Sequence, residues 1–382
     1  MIAAGSGNHS LIGSSVKRKE DPLLLSGKGV YADDVKFPGQ LYVAIVRSPY
    51  ASALIKKVDF SKVAGRPGVV LTLDGAALKD KVHSLPITFS FLGTKLTECR
   101  CLAVDRVKYV GEPVAAVVAS DRGTAEDARD EVEVDYEPLE PSIDLLQASE
   151  NENSVVYNDT ILTGDVAESF KRAAYVVERT LQSHRLNAAA IEPRCVLASY
   201  DGKEDLLTVW PTTQIPFTLR NVLSSCLGLD ISKVRVIVKY VGGSFGNYKY
   251  HPEDLLVSYC SLFLRRPVKW TADRREIFLG NYHAREQVHK IALAADSQGR
   301  ILALKDSVIA DHGAYLPREG VGPSLITQLM LPGPYKIKNV SIALRCVLSN
   351  KTPTGAYRGF GHPEACFAME RMVDSLADRM GL

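Results

Sequence analysis

No two cysteines in this sequence are separated by the two or four residues of a zinc or iron–sulfur ligand run. The seven stand at 99, 101, 195, 226, 260, 346 and 366, and the close pair, Cys99 and Cys101, has a single residue between its members. That argues against a metal cluster held by this chain and for reduced, buried thiols. Charge of one sign is also missing. The 46 basic and 44 acidic residues leave a formal net charge of +2, so no overall field draws the chain to nucleic acid or to an anionic membrane surface. The longest apolar stretch, around Leu255 to Leu264, is far short of the roughly 20 residues that span a bilayer. The opening MIAAGSGNHSLIG has neither the charged start nor the apolar core of a signal peptide. A cytoplasmic protein is expected. What is present, 46% hydrophobic and 24% charged residues over 382 positions, is the composition of a soluble globular protein too long for one ordinary core, which implies two or three domains.

The pattern along the chain is α+β. Residues 1–35 read as an extended arm with turn signals at Ser26-Gly27-Lys28-Gly29 and Ala32-Asp33-Asp34. LYVAIVRS, SALIKKVDF and GVVLTLDG read as strands, a short helix opens at Gly75, and VGEPVAAVVAS is a buried strand. Asp121 stands as N-cap to a helix with Ala125, Ala128 and Val132 at helical spacing, and EVEVDYEPL alternates as a strand. These elements make one unit, 1–145. The polar stretch around ASENENSVVYN is expected to be an irregular linker, 146–160. In 161–382 strands are expected in VVERTLQS, VLASYD and LLTVWPTT, and an amphipathic helix through Leu219, Val222, Leu223 and Cys226 ends near Gly228. A mostly buried helix follows in HPEDLLVSYCSLFLRR, then a strand and charged turn in PVKWTADRREIFL and a hairpin turned at Ser297-Gln298-Gly299. The last helix runs to the end of the sequence with no cap.

Within that second part the β-branched run VRVIVKYV stops at Gly242-Gly243-Ser244-Phe245-Gly246. Backbone without side chains lets successive N–H groups close around an anionic or strongly polar ligand, with Phe245 as the one bulky wall. The same glycines serve equally in a turn that needs positive φ. The loop alone leaves both readings open.

Nine stretches occur together in one order: RKEDPLLLSGKGVYADDV, RSPYASALI, VKYVGEPVAAVVA with VEVDYEPLEP, IEPR at 191–194, TTQ at 212–214, the GGSFG loop, RRPVKWTADRREIF, DHGAY at 311–315 and AYRGFG at 356–361. In this the chain resembles the first half of the molybdenum-binding large subunit of the xanthine oxidase and aldehyde oxidoreductase family of molybdenum hydroxylases. The resemblance implies an α/β-hammerhead domain in 1–145 and the first molybdopterin-binding domain in 161–382. It gives Gln214 a hydrogen bond to an oxo ligand of molybdenum and puts Gly242, Gly243, Ser244, Phe245 and Gly246 against the metal and pterin. Arg358 falls at the substrate pocket, so Gln214 and Arg358 are the implied catalytic residues and, with the loop, the cofactor-binding ones. No protein side chain is expected to ligate the metal directly. The plainer alternatives are a surface amide for Gln214 and an ion pair with Glu364 or Glu370 for Arg358. Glu192, Asp311 and His312 are assigned packing rather than chemistry, and His283 and Arg285 read as solvated or structural.

Departures from the family pattern narrow the reading. Asn247 and Tyr248 separate the loop from Lys249, and no glutamate stands beside that lysine as it does in xanthine-oxidising relatives. AYRGFG lacks the copper-binding cysteine of carbon monoxide dehydrogenases. The family's general base, a glutamate, lies in a second half that this sequence does not include. The resemblance therefore implies a split large subunit of an aldehyde- or N-heteroaromatic-oxidising enzyme, active only with a partner that carries the glutamate. Implied with it are molybdopterin, in its cytosine dinucleotide form, and [2Fe–2S] and FAD subunits. The other readings are an aromatic acyl-thioester reductase subunit, a carbon monoxide dehydrogenase-like subunit, and a truncated non-catalytic paralogue with an assembly role.

Overall fold

Seven consecutive buried residues make the strand Pro113–Ala119, which is possible because both of its faces are covered. Ala116 and Val118 enter the largest core, while Val117 and Ala119 meet Ala128 and Ala125 of the helix Arg122–Asp130. Asp121 caps that helix as expected, its carboxylate accepting from the Thr124 N–H. The structure, a computed structural model, describes residues 11–382. Pro113–Ala119 lies antiparallel to Leu41–Arg47 and Val69–Asp74 in a mixed sheet of seven strands. Its order is Val234–Val236, Leu206–Pro211, Cys195–Asp201, Val268–Thr271, Leu41–Arg47, Pro113–Ala119, Val69–Asp74. Leu41–Arg47 runs parallel to Val268–Thr271, with Leu41 opposite Val268 and Tyr42 opposite Lys269. One ladder thus crosses the boundary expected near residue 145.

A five-stranded sheet, Val155–Thr163, Asn339–Val347, Ile301–Asp311, Gln287–Ala295, Tyr175–Ser183, forms the second layer. Its hairpin turns through Gly299 at φ +80°. The helix His362–Met380 buries Ala365, Ala368, Met369, Met372 and Leu376 against Ile291, Leu293 and Leu304 of this sheet. A three-stranded sheet joins Arg106–Val107, Ala53–Asp59 and Glu133–Pro138.

Several local expectations are corrected. Residues 146–160 are not irregular. Asp144 caps a helix Leu145–Glu150 that buries Leu145 and Ala148, and Val155–Thr163 takes the sheet edge beside Asn339–Val347. The final helix does have a cap, because Gly381 adopts φ +76° and its N–H meets the carbonyls of Ala377 and Asp378. The charged turn after Thr271 is a helix, Arg274–Gly280, opened by a capping box between Asp273 and Glu276. The β-branched run at 234 is a strand only to Val236; Ile237 still donates to Val209 at 2.9 Å, and then the chain leaves the edge. The arm contains a helical turn, Asp21–Leu25, and its residues 1–10 lie outside the described ones.

Charge ties together the middle of the seven-stranded sheet and the helices that follow it. Arg47 Nη2 donates to Glu253 Oε1 and Arg47 Nε to Glu276 Oε1, both at 2.8 Å, while Arg194 Nη1 donates to Glu253 Oε2 at 2.8 Å. Both guanidiniums lie near Trp270, 5.8 and 5.1 Å from its ring centre. Burial alone would raise the Glu253 carboxyl, but Arg194 and Arg47 hold it well below the usual range. Glu253→Ala strands the buried cation of Arg194 and leaves Arg47 with Glu276 alone, so a loss of about 3–5 kcal/mol is expected, read as a large fall in melting temperature; an unchanged midpoint would show that the network is dispensable.

A second tie behaves oppositely with pH. Glu112 is buried, accepts from the Tyr315 hydroxyl at 2.6 Å, and is pushed up to about 7 by burial against that hydrogen bond. The folded state therefore keeps a proton that the unfolded carboxyl, near 4.5, releases, so this contribution is full below pH 4.5 and is lost as pH rises through 7. The melting temperature of wild type minus that of Glu112→Gln should fall across this window, as scanning calorimetry at several pH values would measure.

Candidate functional site

The glycine loop is clasped by Glu192. Its Oε2 accepts from the Gly242 N–H at 2.5 Å, its own N–H donates to the Gly242 carbonyl at 3.2 Å, and its Oε1 accepts from the Thr212 hydroxyl at 3.3 Å. A Cβ on Gly242 would stand 2.6 Å from Cβ of Glu192, so only glycine permits the clasp. Burial pushes the Glu192 carboxyl up, opposed by the Gly242 hydrogen bond. Tyr248 reinforces the arrangement by donating to the Glu192 carbonyl at 2.8 Å. The packing role read for Glu192 is what this geometry gives it.

Gln214 fixes the far end of the loop. Its Oε1 accepts from the Ser244 hydroxyl at 2.5 Å and from the Gly246 N–H at 3.0 Å, and its main-chain N–H donates to the Tyr248 carbonyl at 3.0 Å. Because a backbone N–H can only donate, the atom facing Gly246 must be the amide oxygen. Both hydrogens of Nε2 are then left for something beyond the loop, and no described residue takes them. Nor do the amides of Gly243, Ser244 and Phe245 donate to any described residue. Phe245 holds φ +56° although it is not glycine, a conformation that local strain accompanies.

The segment 356–361 faces this loop. A Cβ on Gly246 would come 3.2 Å from the Ala356 carbonyl oxygen. The Arg358 guanidinium carbon lies 5.0 Å from the centre of the Phe245 ring, and the Tyr357 ring 6.5 Å from it. Arg285 grips the segment from behind. It donates to Glu364 at 2.9 Å and to the Arg358 carbonyl at 2.6 Å, and its guanidinium sits 4.8 Å over Tyr357. Arg285 is therefore structural rather than solvated. With Glu364 held by Arg285 and Glu370 by the Tyr335 hydroxyl, the ion pair weighed for Arg358 does not form. Its side chain is exposed and makes no salt bridge among the described residues.

Gln214, the five loop residues and Arg358 are thus brought to one place from three separate stretches. Asp311 and His312 lie elsewhere in the packing: Asp311 accepts from Gly313 and Ser349, and His312 is buried beside Ser324. His283 donates its main-chain N–H to Pro353 and is pushed down to about 4 by burial. Among the described residues no group of three or more His, Cys, Asp or Glu could hold a metal ion. The donor set of free loop amides, two amide hydrogens and a guanidinium suits a ligand rich in acceptor oxygens. It would hold a metal's oxo groups and cofactor oxygens rather than the metal itself.

Residues 147–382 match the molybdopterin cofactor-binding domain, and residues 26–140 the a/b hammerhead domain of aldehyde oxidase and xanthine dehydrogenase. The chain belongs to this family. It is 37% identical to the nicotine 6-hydroxylase large subunit of Paenarthrobacter nicotinovorans, over 97% of this chain and 47% of that protein. It is 30% identical to the nicotinate dehydrogenase large molybdopterin subunit of Eubacterium barkeri, over 98% of this chain and 88% of that one. The crystal structure of quinoline 2-oxidoreductase from Pseudomonas putida 86 superposes with a TM-score of 0.94 at 36% identity, over 97% of this chain and 48% of that one. The chain thus spans about half the length of the first and last of these relatives. The domain that carries Gln214, the glycine loop and Arg358 is the molybdopterin-binding one. No helix among the described residues is long and apolar enough to cross a membrane.

The residues that sequence reasoning left without a role here are those whose partners lie far along the chain. Arg274 donates to the carbonyls of Ala190 and Ile191 at 2.7 and 2.8 Å, which steadies the approach to Glu192. Lys249 is buried against Glu319, 70 residues away. Gly246→Ala would drive a methyl toward the Ala356 carbonyl at φ +97°, a strain of about 1–3 kcal/mol. The expected result is a soluble protein with several-fold less bound molybdenum per chain, measured by plasma mass spectrometry.

Proposed function

We propose that this chain is the glycine-loop half of the molybdenum-binding component of a multi-subunit molybdenum hydroxylase. The substrate proposed is an N-heteroaromatic or an aldehyde, oxidised with oxygen derived from water. The observation that carries this reading is Gln214, whose acceptor is filled by Ser244 and Gly246 while its two amide hydrogens meet no acceptor among the described residues. A molybdenum held there by molybdopterin supplies the oxidising centre and the activated oxygen. Gln214 Nε2 donates to an oxygen of that group without adding charge, and the Phe245-Gly246 backbone lies against it with no side chain in the way. Arg358, anchored through its carbonyl by Arg285 and stacked on Phe245, orients substrate and stabilises negative charge that develops on it. The relatives named for nicotine, nicotinate and quinoline favour the heteroaromatic class.

The rest of the site is assigned to a second polypeptide that carries the general-base glutamate. A relative of comparable length, itself called a large molybdopterin subunit, supports that division. The proposal includes an extensive interface with this partner, the cytosine dinucleotide form of the cofactor, [2Fe–2S] and FAD subunits that carry electrons away, and a cytoplasmic location. The domain division proposed is 1–145, 146–160 and 161–382.

Purification from the native host with metal and flavin analysis tests the reading. Co-elution with a partner of similar size, together with molybdenum, iron and flavin, is the expected outcome; a chain that elutes alone and free of molybdenum would refute it. In the assembled complex Arg358→Ala should lower kcat/KM by about 10²-fold at unchanged molybdenum content, and unaltered turnover would remove Arg358 from the site.

A further inference from the structure

The strand Val234–Val236 ends the seven-stranded sheet, with Leu206–Pro211 as its one neighbour among the described residues. Successive residues of a strand turn their N–H and carbonyl groups to opposite sides, and the Ile237 N–H donates to the Val209 carbonyl of that neighbour at 2.9 Å. Val234 and Val236 therefore turn theirs away from the sheet. The chain closes this edge at both ends. Arg220 donates from Nε to the Val234 carbonyl and from Nη2 to that of Ile231, each at 2.7 Å, and the Tyr240 N–H donates to the Val30 carbonyl at 3.3 Å. Between these closures the outward groups of Val236 stay open, and the N–H and carbonyl of Val238 meet no described residue.

A groove of about 680 Å³ runs along these groups, between the edge and the first turn of the helix Pro216–Leu227. Phe217 lines it and is 81% exposed. Proteins that leave a β-branched edge to solvent guard it with a charge, a proline or a bulge; Val236, Ile237 and Val238 bring neither charge nor proline. Exposed cations flank the run instead. Lys233 is paired with Asp205, but Arg235 and Lys239 have no carboxylate partner among the described residues. The groove also adjoins the candidate site twice. Gln214 stands three residues before Phe217, and Gly242 four after Val238, no more than about 14 Å of extended chain. Whatever completes the site from across the glycine loop comes within reach of this edge.

We propose that the partner polypeptide lays an extended segment along Val234–Val238 as an eighth strand of the mixed sheet, with an apolar side chain on Phe217 and a carboxylate toward Arg235 and Lys239. Main-chain pairing gives such a contact its affinity, and the two side-chain matches give it selectivity. The inference deepens the function proposed above and rests on it for the identity of the partner. About half the length of two relatives lies outside the part that this chain matches, ample to provide one strand.

The test is hydrogen–deuterium exchange, resolved to single amides by mass spectrometry, on the complex isolated from its host, with its dissociation constant taken from sedimentation over a dilution series. The amides of Val236 and Val238 should exchange about 10²-fold more slowly than unpaired amides, or slower still. Val236→Pro removes an outward N–H, where an edge strand tolerates proline, and should weaken assembly by about ten-fold or more. Val236→Ile, which keeps the N–H, should stay within about three-fold of wild type. Phe217→Asp, at a side chain that the fold leaves in solvent, should also weaken assembly by about ten-fold; if Val236→Pro fails to fold, this variant and the exchange rates decide. Fast exchange at both amides in an intact complex, or assembly that Phe217→Asp or a folded Val236→Pro leaves unchanged, overturns the inference. A complex with molybdenum, iron and flavin whose edge exchanges fast removes the inference and leaves the proposed function, whereas slow exchange against a partner of similar size in a sample free of all three does the reverse.

Discussion

Two guanidiniums converge on one buried carboxylate beside an indole, and the placement of the whole site follows from that contact. Arg47 ends a strand of the first unit, Arg194 lies two residues after Glu192, and Glu253 opens the helix Pro252–Leu264 shortly after the glycine loop. A buried carboxylate between two cations stays ionised, so the bonds that hold these three segments cannot be exchanged for water without exposing charge in the interior. The clasp of Glu192 on Gly242 and the path of 247–251 inherit their positions from it. Glu276, on the same Arg47, opens the helix Arg274–Gly280, whose Arg274 steadies the carbonyls of Ala190 and Ile191.

What could be read in advance was what is local. The apolar run at 113–119, the spacing of Leu219, Val222, Leu223 and Cys226, and the cap at Asp121 each depend on residues a few positions apart, and each takes the form its pattern implies. The helix at the start of the expected linker was hidden because its apolar residues, Leu145, Leu146 and Ala148, span barely one turn before polar neighbours, and the last cap because a single glycine at 381 suffices. Gln214, the glycine loop and Arg358 were legible as a resemblance, and their convergence needed the fold. Arg285 with Arg358 and Glu364, and Lys249 with Glu319, are 73, 79 and 70 residues apart. Among many basic and acidic residues of both signs, nothing in the order of letters says which will meet.

Strain gathers where these long-range contacts meet. Phe245, Arg285 and Phe360 have φ of +56°, +74° and +49°, and none is glycine. One flanks Gly246, one holds the opposing segment, and one stands two residues after Arg358. Each conformation costs on the order of 1–3 kcal/mol and persists only where its surroundings over-determine it. Here the hydrogen bonds of Gln214, the grip of Arg285 and the packing of Phe360 on Gly322 do so. The result is a pair of loops that stand in fixed positions before any ligand arrives.

The parallel pairing of Leu41–Arg47 with Val268–Thr271 has a consequence during synthesis. The hammerhead portion leaves the ribosome long before its neighbour strand exists, and at usual elongation rates the interval is roughly ten seconds or longer. Through that time one edge of Leu41–Arg47 carries unpaired backbone groups, and Arg47 has neither of its carboxylates. A nascent chain in this state is a substrate for chaperones and for pairing with other nascent chains. The sheet that unites the mature molecule thus makes its first third unable to finish folding alone.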